Sequence, residues 1–157
     1  MSEWISGLTY FRDGSPYTYL KEEESKNVGW LDKDNAFPRG NLSERALNRL
    51  MDISIVSVNQ TRGLHCCEFC GDNMAQPTFI HLGKEFLLGS AEIRVFDPTG
   101  ISFAAPNLLV HYVLQHKYLP PSEFIFALEH GPNADSKEYP ALLKSLGLSP
   151  SETLTVT

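Results

Sequence analysis

Cys66, Cys67 and Cys70 are the three cysteines of this 157-residue chain, and all lie in GLHCCEFCGDN, residues 63–73. Cys67 and Cys70 form a C-x-x-C pair, whose turn can bring two thiolates to one edge of a tetrahedral metal site. Gly71 follows, the residue type that knuckle-like metal turns use to aim backbone amides at sulfur. HYVLQH then supplies His111 and His116, inside the H-x3–5-H window of Cys2His2 sites. The expected cofactor is Zn2+, held by Cys67, Cys70, His111 and His116. Four protein ligands would fill the tetrahedron and leave no open catalytic position, so such an ion is structural.

That reading sets conditions and has rivals. Five residues on an ideal helix rotate His116 by about 140° from His111. The two can share an ion if the last helical turn tightens or His116 lies just past the end. His65 is a substitute ligand, and Cys66 another, although adjacent residues seldom point at one ion. If a protein ligand is replaced by water, the metal activates that water and the chain is a metal-dependent hydrolase, with His65 or Glu92 beside the ion. If no metal binds, Cys67–Cys70 is a thiol-redox pair, which needs an exposed Cys67 at a helix start with a depressed pKa. A cysteine nucleophile with a histidine base lacks an orienting Asn or Asp placed by any motif. The plain alternative is three small residues in a core and two ordinary helical histidines.

The elements that must position these groups show in the patterning. Asp13-Gly14 and Ser15-Pro16 sit between aromatic pairs and predict a turn or short hairpin pinned against the core. KEEESKN, residues 21–27, reads as a charged surface loop, and Trp30 and Phe37 as packing anchors. Ser43 is a candidate N-cap for a helix carrying Leu47, Leu50 and Met51. ISIVSV, residues 53–58, reads as a strand leading to the cysteines. EIRVF and ISFAA flank Asp97-Pro98-Thr99-Gly100, the turn chemistry of a hairpin. Glu92 and Arg94 alternate with Ile93 and Val95 and are expected to share the solvent face of that strand. Pro106 opens a helix through NLLVHYVLQH that YLPP stops. Ser122 caps EFIFALEH, which ends at Gly131-Pro132, with His130 against the helix dipole. Pro140 and Gly147 bracket a last short helix. His81 is isolated and reads as a hydrogen-bonded strand or loop residue.

The expected architecture is α+β, a small antiparallel sheet or hairpin with three to four short helices, stapled by the zinc. Residues 1–148 form one domain, and 149–157 a polar, frayed tail. A net charge of −6 argues against duplex nucleic acid and against anionic membranes, whose partners are basic; it suits a solvated, soluble surface or a basic protein partner. No signal peptide or apolar run of about 20 residues is visible. An odd cysteine count with two adjacent excludes a disulfide framework, so the chain reads as cytoplasmic.

Several blocks together resemble a family of small uncharacterised bacterial proteins: SPYTYL, RGLHCCEFC, LGSAEIRV and APNLLVHYVLQHKYLPPSEF. The family pattern is G-x-H-x-C-x-x-C, then L-G-x-x-E-I-R-V, then H-Y-V-x-x-H-x-Y-x-P-P-x-E-F. Gly63, His65, Cys67 and Cys70 fit the first block. Gly89, Glu92, Ile93 and Arg94 fit the second, and His111, Tyr112, Val113, His116 and Tyr118 fit the third. The resemblance implies that Cys67, Cys70, His111 and His116 form one constellation and that Cys66 is dispensable. It leaves open whether Glu92, Arg94 and Tyr112 form a cleft or a structural network, and it implies no reaction. The leading expectation is therefore a zinc-binding module that acts by binding a protein, for instance an immunity protein that neutralises a toxin.

Overall fold

A computed structural model describes residues 4–5, 10–17, 24–70 and 76–156. In chain order the strands are β1 (Trp4–Ile5), β2 (Pro16–Tyr17), β3 (Ser25–Asn27), β4 (Val56–Ser57), β5 (Leu64–His65), β6 (Thr78–His81), β7 (Lys84–Leu87), β8 (Glu92–Phe96), β9 (Ser102–Pro106) and β10 (Ser151–Glu152). The helices are α1 (Glu44–Ser54), α2 (Leu109–His116), α3 (Ser122–His130) and α4 (Glu138–Ser145). The class is α+β, as the patterning predicts.

The central sheet has the order β2-β3-β9-β8, and it is mixed. β8 and β9 pair antiparallel across the Asp97–Gly100 turn, with Ile93 opposite Ala105 and Val95 opposite Phe103. Asp97 closes that turn by accepting hydrogen bonds from the Thr99 and Ile101 amides at 2.8 and 2.9 Å. β3 joins β9 in parallel, so part of KEEESKN is a strand rather than a surface loop. Ser25 and Ser102 meet side chain to side chain at 2.8 Å across this pairing, which satisfies two buried hydroxyls inside the sheet.

Both faces of the sheet are covered. Ile93, Val95, Phe103 and Ala105 face a core shared with Leu50 and Ile53 of α1, Leu108, Leu109, Phe124 and Leu128. On the other face Ala104 packs against Tyr17 and Trp30, and Trp30 donates its indole N–H to the Ala104 carbonyl at 3.0 Å. Asp13 anchors this second layer by accepting from the Gly29 amide and from the Tyr118 hydroxyl, at 3.0 and 2.7 Å. The expected turn at Asp13-Gly14 is thus pinned to the core from both sides.

Several local expectations shift. Ser43 does cap α1, accepting from the Ala46 amide at 3.1 Å, but the helix runs on to Ser54. Ile53 is therefore helical, and only Val56–Ser57 of ISIVSV is strand. Pro106 ends β9 instead of opening α2, which begins at Leu109. Ser122 is the first residue of α3, with Pro121 at the cap position. The expected frayed tail is ordered: β10 pairs with β4, and buried Thr153 bonds Ser57 and the Ser54 carbonyl. The buried hydroxyls of Ser57 and Thr153 need partners, and β4, the tail and the end of α1 supply them.

One glycine is fixed by close approach. Gly89 has φ +107°, and a Cβ there would lie 2.4 Å from the His65 carbonyl oxygen. The Gly89 carbonyl meanwhile accepts from the His65 amide at 2.8 Å, so neither backbone can retreat freely. Gly89→Ala should cost about 2 kcal/mol or more, lowering the melting temperature by about 4–8 °C in a thermal melt.

Candidate metal centre

Phe69 explains how the cysteine segment is held. It sits in the short helical turn Glu68–Cys70 and packs edge-on against Phe37 and Tyr112 and tilted against His116, with ring centroids 5.1, 5.7 and 5.6 Å apart. An aromatic anchor between two cysteines draws both sulfurs towards α2. Its position in EFC was visible in the sequence, although only the partners reveal its role. Gly71 lies outside the described residues.

The end of α2 brings the histidines together. Lys117 adopts the left-handed conformation, φ 57°, and its amide reaches back five residues to the Tyr112 carbonyl. The Tyr118 amide bonds the same carbonyl at 3.1 Å. A five-residue turn is wider than an α turn, so residues five apart come closer in azimuth. The terminal turn thus loosens, which is neither the tightened turn nor the position past the helix end that the spacing called for, since His116 is the last residue of α2. The His111 and His116 rings lie 5.2 Å apart, and Arg39 fixes the His116 carbonyl by donating to it at 3.0 Å.

Four side chains converge as a result. Cys67 Sγ is 3.4 Å from His116 Nε2, while Cys70 Sγ is 3.3 Å from His111 Nε2 and 3.5 Å from His116 Nε2. All four donor atoms lie within 4.8 Å of one another. A tetrahedral zinc with ordinary Zn–S and Zn–N bonds has S···N edges of about 3.5 Å, so the three contacts match its edges. The chemistry of the group suits a cation too. Burial pushes the Cys67 thiol up to about 12, with Cys70 beside it adding to the rise. Burial takes His111 down to about 4, reinforced by His116. Burial, then Arg39, also holds His116 below its ordinary value. Neutral imidazoles are the ligating form, and a bound divalent ion would deprotonate the thiols outright.

The His111 shift has a consequence for metal-stripped protein. A histidine held neutral in the fold binds its proton more readily once unfolded. Its contribution to stability is full above about pH 6.5 and is lost as pH falls towards 4. Urea melts of chelated protein between pH 7 and pH 4 should show this decline, and His111→Gln should flatten it.

The remaining candidates lie elsewhere. His65 is outside the four-residue group and lines a small cleft of about 60 Å³ with Glu92 and Asn107, so it is not placed as a substitute ligand. Glu92, Arg94 and Tyr112 do not share one cleft. Tyr112 is buried against Phe69, with its hydroxyl pushed above its ordinary value by burial and by the nearby cysteines. Arg94 is fully buried, contrary to the solvent face expected for it. The alternation was sound, since Arg94 does point opposite Ile93 and Val95, but Tyr17 covers that face with its ring 4.7 Å from the guanidinium. Glu92 Oε1 accepts from Arg94 and Tyr17 at 2.9 Å each and from Asn59 at 3.1 Å. Glu92 and Arg94 therefore pair below the surface. His81 bonds Asp52 at 2.7 Å, and His130 closes α3, as expected of both.

A family model described as Domain of unknown function (DUF7919) matches residues 9–129, a span that contains all four residues of the centre. Neither a curated protein nor a solved structure matches the chain. Among the described residues, no helix is long and apolar enough to cross a membrane.

Proposed function

Because the chain belongs to this family of domain of unknown function, DUF7919, we propose a function built on its own geometry: Cys67, Cys70, His111 and His116 hold one structural Zn2+, and the protein acts by binding another protein. The convergence of four donor atoms from two distant segments carries the reading. Two thiolates and two imidazoles are the donor set that zinc prefers, and together they complete its tetrahedron.

The rival chemistries fit less well. A hydrolytic zinc keeps an open position for water, whereas this group offers a fourth protein ligand. Glu92 and His65, the groups that would serve such a zinc, line a different cleft. A redox dithiol needs an accessible, acidic thiol, whereas Cys67 is buried and its pKa raised.

Native mass spectrometry with X-ray absorption tests the centre. One zinc per chain with two sulfur and two nitrogen neighbours is the expected result. Metal-free protein, or three protein ligands plus water, would overturn the structural assignment.

The partner is a basic protein, and neutralisation of a toxin by a cytoplasmic immunity protein is the form of binding that a small acidic chain suits. The net charge of −6 supports this, since opposite potentials speed encounter. Zinc-loaded protein should capture a basic partner whose association rate falls steeply with salt. A partner without net positive charge, or binding indifferent to salt, would count against it.

A further inference from the structure

The cleft beside β8 is separate from the metal centre and has its own unmet chemistry. Asn107 lines it and is 1% exposed. Its Oδ1 accepts from the Gly89 amide at 2.8 Å, which fixes the orientation of the side-chain amide. Among the described residues, Nδ2 is then left buried without a hydrogen-bond partner. Such a donor carries an uncompensated desolvation cost unless something accepts from it.

Glu92, whose register partner Pro106 precedes Asn107, lines the same cleft. Its Oε1 takes the bonds from Tyr17, Asn59 and Arg94, and Oε2 takes none among the described residues. Arg94 offsets the carboxylate charge at 2.9 Å, so the pair favours a neutral donor over a second cation. Trp30, Pro106 and Leu108 give the same cleft an apolar wall. One cleft thus holds a donor, an acceptor and an apolar surface, the usual make-up of a small-molecule site.

We infer that this cleft binds a small neutral molecule carrying a primary carboxamide on an apolar body. The carbonyl of the ligand accepts from Asn107 Nδ2, its NH2 donates to Glu92 Oε2, and its body lies along Trp30 and Leu108. The inference does not rest on the zinc.

Three isosteric probes test it on the zinc-loaded protein by two-dimensional NMR. Benzamide should give saturable shifts at the Gly89 backbone amide and the Asn107 side-chain amide. Acetophenone lacks the N–H donor and benzoate brings a charge, so each should bind at least about tenfold more weakly. Asn107→Asp keeps the oxygen that holds Gly89 and replaces the free donor with an acceptor. That variant should lose benzamide binding by a similar factor while Gly89 keeps its native chemical shift. If the variant does not fold, the three-probe comparison on the unaltered chain decides alone. Equal binding of the three probes, or no shift at Gly89 and Asn107 with millimolar benzamide, would overturn the inference and leave solvent as the partner of Nδ2.

Discussion

Cys67→Ser should release the zinc and lower the melting temperature by about 8–16 °C, the equivalent of about 4 kcal/mol for a domain of this size. The serine hydroxyl is a far weaker zinc ligand than a thiolate, and three remaining donors leave the ion open to water and chelators. The loss is large because the centre joins Cys67 and Cys70 of one segment to the two ends of α2. Without the ion, the thiols and imidazoles, two of the four buried, keep only weak sulfur–nitrogen hydrogen bonds in place of metal bonds. Two controls make the result specific. Chelation should bring the unaltered chain to the same melting temperature and leave the variant unmoved. Cys66→Ser, at a buried cysteine outside the four-residue group, should keep its zinc and lose only about 1 kcal/mol. A Cys67→Ser protein that melts like the parent would remove the structural role.

Arg94→Ala should be comparably damaging, by about 3–5 kcal/mol, for reasons unrelated to the metal. The guanidinium is fully buried, bonded to Glu92 at 2.9 Å and to the Ile93 carbonyl at 3.0 Å, and covered by the Tyr17 ring. Removing it leaves the Glu92 carboxylate, 17% exposed, without its counter-charge, and empties a large volume under Tyr17. The cost should be coupled to Glu92. Arg94→Met combined with Glu92→Gln should recover a good part of the stability lost in Arg94→Met alone, because no buried charge is then left unpaired. Strictly additive losses in denaturant melts would mean that the pair contributes by packing alone.

What the sequence discloses follows the range of the interaction that decides it. The Asp97–Gly100 hairpin and the Ser43 cap depend on neighbours within four positions, and both are present. The Cys/His group was legible for a different reason: few residue types ligate zinc, so rarity of type substitutes for proximity. The parallel pairing of β3 with β9 had no such marker, because a three-residue strand inside a charged run carries no periodicity. Arg94 shows the limit most clearly. Period-two alternation identifies its face correctly, but whether that face is wet depends on Tyr17 and Trp30, far away in the chain. The orphaned amide of Asn107 could not be read at all, since it arises from where the Gly89 backbone happens to pass.

The mixed sheet also sets an order of events during synthesis. β3 has only the short β2 beside it until β9 emerges, since Ser25 pairs with Ser102 and Lys26 with Phe103. At elongation rates of about 5–20 residues per second, that interval leaves β3 without its parallel neighbour for several seconds. His111 and His116 follow β9 directly, so a zinc ion could meet its complete ligand set only once that sheet is ready to close. Closing loops of this length is slow, and a chain of high contact order profits from an early cross-link. Zinc supply during translation would then govern the yield of folded protein, an effect on how fast the chain escapes aggregation as well as on how stable it finally is.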